Sequence, residues 1–262
     1  MSTAPVFFWR PASEQLASGR LASGQDPETA GRGARVRLDG PEGRHAALVR
    51  RLTPGERADL ADGHGTVAVC VVAVAHKDWL ELDIRDVVRE PAPTPRITVV
   101  QALPKGDRGE TAVETMTEIG VDAIVPWAAS RSIVQWKGER GEKALSKWRA
   151  TAREAAKQSR RAWWPTVEPL HSTNEVAKLL AAADQALILH EDAEAPLARL
   201  DVAAVGEVVM VIGPEGSISP QEMAAFQAAG ATAYKMGPTV LRTSTAGTAA
   251  ATVVLARSGR WG

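Results

Sequence analysis

Beyond residue 95 the chain alternates short apolar runs with longer segments that carry helix signals. The apolar runs lie at 97–103, 123–126, 186–190 and 208–212, and helical segments lie at 110–119 and 142–161. Strands that alternate with helices in this way form a parallel sheet whose faces are covered by the helices. The pattern therefore predicts an α/β fold for this part of the chain.

Two further helices are marked by capping boxes, in which a serine and a glutamate three residues later satisfy each other's backbone amides. Ser172 and Glu175 form the first box, and Ser219 and Glu222 form the second. A helix is therefore expected to begin directly after each serine.

The first third of the chain has the two-residue period of β structure. Val36 and Leu38 alternate with charged residues, and the segment 80–84 follows the same pattern. This period places one apolar face on a core and one polar face in water. The β-branched run 67–74 suits a strand that is buried on both faces. We predict a small β-barrel or sandwich.

Prolines at positions 91, 93 and 95 interrupt this pattern. Proline lacks a backbone donor and has a fixed φ, so the cluster favours an extended linker. We therefore predict a β domain at 1–90, a proline-rich linker at 91–95 and an α/β domain at 96–262.

Composition limits the cellular compartment and the kinds of site that are expected for this chain. The formal net charge is zero and 45% of the residues are hydrophobic, as in a folded globular protein. Cys70 is the only cysteine, so an internal disulfide and a cysteine metal cluster are excluded, which fits a reducing cytoplasm. The five histidines lack metal-ligand spacing, and neither a signal peptide nor a membrane-spanning run is seen. We expect a cytoplasmic protein without a metal site or a membrane association.

Positive charge is concentrated between residues 131 and 161, where ten Lys or Arg are opposed by three Glu. A basic helix in a neutral protein is a plausible phosphate-binding surface. A solvated helix face would give the same charge pattern, and charge alone favours neither interpretation.

The strongest motif is the apolar run 208–212 followed by Gly213-Pro-Glu-Gly216 and a capped helix. Glycines at such a turn let backbone groups approach a ligand closely. Ligands bind at the carboxyl ends of strands in open α/β sheets. The motif indicates a ligand loop, although an ordinary strand-to-helix turn would look similar.

A second motif runs from Met236 through a Gly-Pro pair to Ala246, where a helix of small residues begins. Arg242 lies among three hydroxyl residues and could hold an anion or a polarised carbonyl. Capping of the helix by Thr243 or Ser244 is the structural alternative, and we expect it in either case.

Two weaker motifs carry cations. Lys105 and Arg108 follow the strand 97–103, at a position where they could bind phosphate. A surface turn without a ligand would have the same sequence pattern. The segment from Arg44 to Arg50 offers two cations and His45 within the β domain. The pattern G-x-G-x-x-A at 63–68 precedes a strand, so it does not indicate a dinucleotide site.

Taken together, these motifs resemble the bacterial RsmE family, which methylates N3 of a uridine in small-subunit ribosomal RNA. The shared segments keep the family's order and spacing along nearly the whole chain, at 44–50, 105–108, 117–121, 130–132, 154–160, 213–216 and 241–246. The resemblance implies a trefoil-knotted SPOUT methyltransferase domain preceded by a PUA-like β-barrel domain. It also implies a homodimer, S-adenosylmethionine as cofactor, and 16S ribosomal RNA in the decoding region of the small subunit as substrate.

The resemblance and the motifs together indicate site residues. We expect the cofactor to be held at Leu189, His190, Gly213, Pro214, Glu215, Gly216, Met236, Gly237, Val240, Leu241, Thr243, Thr245 and Ala246. We expect RNA to be contacted by Arg44, His45, Arg50, Lys105, Arg108, Arg131, Lys147, Arg153, Lys157 and Arg160. Arg242 is the expected catalytic residue, because its guanidinium can stabilise negative charge on the uracil oxygens.

Two positions depart from the family pattern. Ser217 stands where the family often has glycine, and it is tolerated there if its φ is negative. Ser244 stands where the family often has glutamate, which leaves the proton acceptor unassigned. The alternatives are a related enzyme that acts on transfer RNA or a ribose hydroxyl, and a ribosome assembly factor without catalysis. Cofactor binding distinguishes an assembly factor from the enzymes.

Overall fold

The structure is a computed structural model that describes residues 4–9 and 31–261. Residues 1–3, 10–30 and 262, which include part of the predicted first domain, lie outside the described residues. The chain forms two compact units. The first contains the described residues up to Ala92 together with Lys157–Trp163, and the second contains Pro93–Ala156 and the described residues from Trp164 onward.

The segment 157–163 differs from the predicted domain division, which assigned it to the α/β domain. Lys157 Nζ lies 2.9 Å from Glu42 Oε1, and Trp163 Nε1 donates a hydrogen bond to the Glu90 carbonyl at 2.9 Å. These contacts tie the segment to the first unit. The sequence offers no sign of them, because the partners lie far away along the chain.

The first unit is built on one five-stranded sheet. Its strands are β1 (Val6–Phe8), β2 (Arg35–Leu38), β3 (Asp59–Ala61), β4 (Thr66–Ala75) and β5 (Leu80–Arg89). They are ordered β1-β3-β4-β5-β2, and β1 pairs with β3 in parallel while the other pairs are antiparallel. Val36 pairs with Leu82 and Leu38 with Leu80, and all four side chains are buried. The β fold predicted for this part is confirmed.

The prediction that β4 is buried on both faces is wrong. Its residues alternate along residues 66–72 between buried and half-buried, so only one face lies in the core. Cys70 is on the buried face, and burial raises the pKa of its thiol to about 12. The thiol is therefore protonated at neutral pH, and Cys70 is a small residue of the apolar core.

The Arg44 segment is helical. Helix α1 (Gly40–Arg44) continues into one π-helical turn (His45–Val49). Ala46 is buried, whereas Arg44, His45 and Arg50 are exposed. The local helix thus presents the cations of this segment to solvent.

The second unit contains a six-stranded parallel sheet. Its strands are β6 (Arg96–Ala102), β7 (Ala123–Trp127), β8 (Thr166–Val167), β9 (Gln185–Leu189), β10 (Glu207–Ile212) and β11 (Thr232–Tyr234). Their order is β11-β9-β10-β6-β7-β8, and every neighbouring pair is parallel. The predicted parallel α/β sheet is confirmed, and its central strands are mostly apolar because both faces are covered.

Helices cover both faces of this sheet. They are α2 (Arg108–Ile119), α3 (Gly138–Gln158), α4 (Thr173–Ala182), α5 (Pro220–Ala228) and α6 (Thr243–Arg257). One apolar core contains Val99, Met116 and Val254, and the other contains Val211 and Phe226. Among the described residues, no helix combines the length and apolar character needed to cross a membrane.

Local signals set the helix ends. Both predicted capping boxes form, at Ser172 with Glu175 and at Ser219 with Glu222. Helix α3 begins and ends earlier than the predicted 142–161. The chain leaves the helical conformation soon after Gln158, since Arg160 has a φ of 56°.

The turn after β10 contains an unusual backbone conformation. Ser217 has a φ of 61°, so the condition under which serine was expected to be tolerated there is not met. A side chain in this left-handed region meets a steric penalty that glycine does not have. Ser217 therefore carries local strain.

We predict that Ser217→Gly is more stable than Ser217→Ala by about 1 kcal/mol, the usual penalty of a side chain at positive φ. Both changes remove the hydroxyl, so their difference isolates the backbone effect. Urea unfolding midpoints of the two variants measure it. A Ser217→Ala variant as stable as Ser217→Gly would show that the turn holds no such strain.

Candidate functional site

All six strands of the second sheet are parallel, so their carboxyl ends meet at one edge. Each strand is followed by a loop at this edge, and four of these loops, after β6, β9, β10 and β11, are of interest here. They contain three of the motifs singled out in the sequence, at 103–108, 213–216 and 236–246, together with His190. We refer to these four loops as the carboxyl-edge site. Such an edge is where open α/β sheets bind ligands.

Hydrogen bonds join the loops of the carboxyl-edge site. The Thr243 hydroxyl donates to the Gly213 carbonyl at 3.0 Å, and the Lys105 amide donates to Glu215 Oε1 at 3.2 Å. The predicted capping of α6 by Thr243 or Ser244 is wrong, because the N-cap residue is Arg242 and no side chain caps it. The Thr243 hydroxyl instead fixes the loop after β10.

His190 links the loops after β9 and β10. Its Nδ1 atom lies 3.2 Å from the backbone amide of Asp192 and therefore accepts a hydrogen bond. In neutral imidazole the proton is then on Nε2, which lies 3.4 Å from the Ser217 hydroxyl and can donate to it. Ser217, at the family's glycine position, thus connects two loops of the site.

A carboxylate lies next to this link. The pKa of Glu191 is held below its usual range, chiefly by a hydrogen bond from its own backbone amide. The Ser217 hydroxyl and His190 lower it further, while burial opposes the shift. Glu191 is therefore ionised at neutral pH and adds negative charge to this part of the site.

The glycines of the loop after β10, which the sequence predicts to let a ligand approach, are also important for packing. A Cβ at Gly213 would lie 2.8 Å from Ile218 Cγ1, which belongs to the core. A Cβ at Gly216 would lie 3.1 Å from Arg131 Cβ. A larger residue at Gly213 therefore disturbs the loop itself, whereas one at Gly216 requires a small shift of Arg131.

Gly237, in contrast, faces open space. Apart from its two chain neighbours, no described residue has an atom within 4 Å of a Cβ built there, and its φ is not positive. The exposed residues of the predicted cofactor site include Gly237, Val240, Leu241 and Thr245. The half-buried or buried ones include Leu189, His190, Pro214, Met236, Thr243 and Ala246. The site thus combines apolar side chains with accessible backbone, and it is open on the side of Gly237.

Arg242 lies at this open side. Its side chain is exposed, and its guanidinium makes no hydrogen bond or ion pair with any residue that the structure describes. The guanidinium donors are therefore available to a ligand.

Three contacts that support the site were not predicted from the sequence. Gln101 Nε2, fully buried at the end of β6, donates to the Thr243 carbonyl at 3.3 Å. Arg131 Nη1 donates to the Gly216 carbonyl at 3.2 Å, so this residue, which was predicted to contact RNA, is hydrogen-bonded to the loop after β10. The third contact joins Glu222 to the amide of Ser130 at 2.7 Å.

Glu222 keeps its negative charge through hydrogen bonds. Burial alone would raise the pKa of Glu222, but hydrogen bonds from Ser130 and Ser219 outweigh burial and lower it. The carboxylate therefore caps α5 and anchors the 130–132 segment at the same time. The capping box signalled the first role, and nothing local signalled the second.

The predicted RNA ligands differ in availability. Five of them are exposed, namely Arg44, His45, Arg50, Lys105 and Arg160, and two are half-buried, namely Arg108 and Arg153. Lys147 is exposed, but its ammonium group lies 3.0 Å from Glu110 Oε1. Lys157, also predicted to contact RNA, is engaged within the protein instead. Its side chain is only 7% exposed, and its ammonium group lies 2.9 Å from Glu42.

Within residues 4–9 and 31–261, no group of three His, Cys, Asp or Glu side chains is placed to hold a metal ion.

Comparisons with known proteins cover both parts of the chain. Residues 90–255 match a model of the RNA methyltransferase domain, and residues 38–85 match a model of the RNA methyltransferase PUA domain. The chain is similar to a solved structure of ribosomal RNA small subunit methyltransferase E from Neisseria gonorrhoeae bound to S-adenosyl methionine. The TM-score is 0.80 at 27% identity, over 97% of this chain and 98% of that chain.

Sequence relatives carry the same family name. Ribosomal RNA small subunit methyltransferase E from Mycobacterium bovis is 45% identical over 87% of this chain and 89% of its own length. The protein of that name from Bacillus subtilis is 26% identical over 80% of this chain and 85% of its own length. The resemblance inferred from the motifs is thereby confirmed, and this chain belongs to the ribosomal RNA small subunit methyltransferase E family.

Proposed function

We propose that this protein transfers a methyl group from S-adenosylmethionine to N3 of a uridine in the decoding region of 16S ribosomal RNA. The observation that carries the proposal is the convergence of the 213–216 and 236–246 loops at one sheet edge, with an unpaired guanidinium beside them. The 45% identity to a small subunit methyltransferase supports the substrate class. We place this activity in the cytoplasm, in a homodimer acting on the small ribosomal subunit.

The carboxyl-edge site fits the proposed cofactor. An adenosyl group needs apolar contacts for its ring and backbone groups for its polar edge. Leu189, Met236, Val240 and Leu241 supply apolar surface, and the open space at Gly237 leaves room beside them. When bound, S-adenosylmethionine supplies the activated methyl group, and the protein supplies position and electrostatics.

Arg242 is proposed to act on the uracil ring. Uridine N3 must lose its proton before it can attack the methyl group, and the resulting negative charge spreads onto the two carbonyl oxygens of the uracil. A guanidinium keeps its charge at any working pH and donates hydrogen bonds in a planar fork. The contact therefore strengthens as charge develops, which is what raises a chemical rate. Ser244 is buried and carries no carboxylate, so it cannot replace the family glutamate as proton acceptor.

The proposed RNA contacts lie on both units. Arg44 and Arg50 supply exposed cations in the first unit, and Lys105 and Arg153 supply cations in the second. Phosphate neutralisation by such side chains releases counterions and makes affinity depend on salt.

We predict that Arg242→Ala slows methyl transfer by about a hundredfold to a thousandfold, the usual effect of losing one such donor. The assay uses small ribosomal subunits from a strain lacking this protein, saturating S-adenosylmethionine and single-turnover conditions. Mass spectrometry of the nucleosides identifies the product. The control is Arg199→Ala, which removes an exposed arginine outside the proposed machinery.

Several outcomes would contradict this view of the reaction. Wild-type protein that forms no 3-methyluridine would overturn the substrate or the enzyme assignment. Methylation of transfer RNA or of a ribose hydroxyl would favour a related enzyme. An Arg242→Ala variant with normal rate and weakened cofactor affinity would make Arg242 a binding residue.

We predict that Gly237→Val abolishes calorimetric binding of S-adenosylmethionine while the thermal unfolding midpoint stays unchanged. The new side chain enters open space in the proposed pocket, because its Cβ has no atom within 4 Å from the described residues beyond its chain neighbours. Thr232→Val, at the exposed start of strand β11, which precedes the loop of Gly237, is the matched control. Full-strength binding by Gly237→Val would place the cofactor elsewhere.

We predict that Arg44→Ala/Arg50→Ala weakens binding to small ribosomal subunits and reduces the slope of log affinity against log salt by about 2. Each arginine is expected to neutralise one phosphate, and removing it lowers the slope by roughly one. Arg35→Ala/Arg37→Ala is the control, since these arginines are in the same unit but pair with acidic neighbours. Equal weakening by both double variants would reduce the effect to net charge.

A further inference from the structure

A second concave site lies in the second unit, between helix α3 and the edge strand β8. It is lined by Arg149, Arg153 and the segment 164–168, and its volume is about 400 Å³. This volume is within the range of pockets that bind small ligands. The pocket shares no lining residue with the carboxyl-edge site. Strand β8 pairs with the first residues of β7, at the amino end of the sheet.

One side of the pocket is cationic. Arg149 Nε donates to the Val167 carbonyl at 3.0 Å, which fixes the guanidinium against β8 and leaves its terminal nitrogens as donors. Arg153 follows four residues later on α3 and lines the same pocket, so the two guanidinium groups share one helix face. Arg153 forms a loose ion pair with Glu154 at 3.8 Å, between two largely exposed side chains. Paired guanidinium groups of this kind suit a phosphate.

The other side offers an aromatic surface and one carboxylate. Trp164 and Pro165 line the pocket, and aromatic rings stack on nucleic-acid bases. Glu168 is held in place by its backbone amide, which donates to the Ile124 carbonyl at 3.0 Å. Its carboxylate only accepts hydrogen bonds, so it disfavours phosphate and favours a ligand with N–H donors.

These features together select one kind of base. A carboxylate has two oxygens and pairs best with two adjacent donors. Guanine presents such a pair, the ring N1–H and the exocyclic amine, whereas adenine, cytosine and uracil lack it. Trp164 would stack on the base, Glu168 would hold its donor edge, and the two arginines would hold a phosphate.

We propose that this pocket binds a guanosine nucleotide, and that its source is an unpaired guanosine of the RNA substrate. The choice of RNA as the source rests on the proposed function; the chemistry of the pocket does not. Capture of a nucleotide apart from the methylated one would fix the register of the RNA on the second unit.

The experiment measures binding without cofactor, so its result does not depend on methyl transfer. The probes are fluorescent RNA heptamers that consist of uridine with a central guanosine, adenosine or uridine. The guanosine heptamer is expected to bind about tenfold more tightly than the all-uridine heptamer, as one base stack and a paired carboxylate would give. Free guanosine monophosphate serves as competitor and is expected to compete only at far higher concentration.

Two variants test the pocket residues. Glu168→Gln keeps the side-chain shape and is expected to abolish the preference for guanosine over adenosine. Trp164→Ala is expected to lower affinity for all purine heptamers about tenfold. The controls are Glu139→Gln, exposed at the start of α3, and Trp261→Ala, exposed near the end of the chain. Because Trp164 is half-buried, Trp164→Phe provides a variant that keeps an aromatic ring in place.

Equal affinity for the three heptamers would overturn the proposal, and so would a guanosine preference that survives Glu168→Gln. Guanosine monophosphate that competes at the affinity of the heptamer would overturn RNA as the source. A wild-type protein that binds the guanosine heptamer but methylates no ribosomal RNA would overturn the proposed function and leave the guanosine preference of the pocket standing.

Discussion

The parallel pairing of β10 with both β6 and β9 is the constraint on which the carboxyl-edge site depends. Ile212, the last residue of β10, pairs with Gln101 on one side and with Leu189 on the other. Three strands therefore end at the same level, and the loops that follow them start side by side. Residues distant in sequence become neighbours through this register, and no contact within any single loop could bring them together.

The sequence was sufficient for features that local chemistry determines. The capping boxes at Ser172 and Ser219 formed as expected, and the apolar runs became the central strands of the parallel sheet. The edge where the motifs meet was also predictable, because it follows from parallel strands alone. The knot remains a prediction.

Features that depend on distant partners could not be predicted. The Thr243 hydroxyl was expected to cap its own helix, but it reaches the Gly213 carbonyl in another loop. The second role of Glu222 requires Ser130, which lies 92 positions earlier in the chain. A capping motif indicates which backbone amides of its own helix a side chain can accept hydrogen bonds from. It does not indicate which hydrogen-bond partners from distant parts of the chain the tertiary fold will bring close to that side chain.

The basic segment 131–161 shows the same limit for charge. Its cations look alike in sequence, yet Arg131 holds a loop carbonyl, Lys157 forms a buried ion pair and Arg153 lines a pocket. A buried charge must be paired because desolvation is costly, so Lys157 is committed to Glu42 and is not available to a ligand. Charge density along a helix therefore gives an upper limit on the number of phosphate contacts. The actual number depends on which cations the fold has already used.

Ser217 brings two of these effects together. Its left-handed backbone carries strain that the family's usual glycine avoids. Its hydroxyl lies within reach of His190 Nε2 and helps to keep Glu191 ionised, so it couples the loops after β9 and β10. Glycine would relieve the strain and remove this coupling, which means that backbone stability and loop order oppose each other at this one position. Strain at a ligand loop persists only where the surrounding structure fixes the conformation. Here the core contact of Ile218 beside Gly213 and the Arg131 bond to Gly216 fix the turn on both sides of its strained residue.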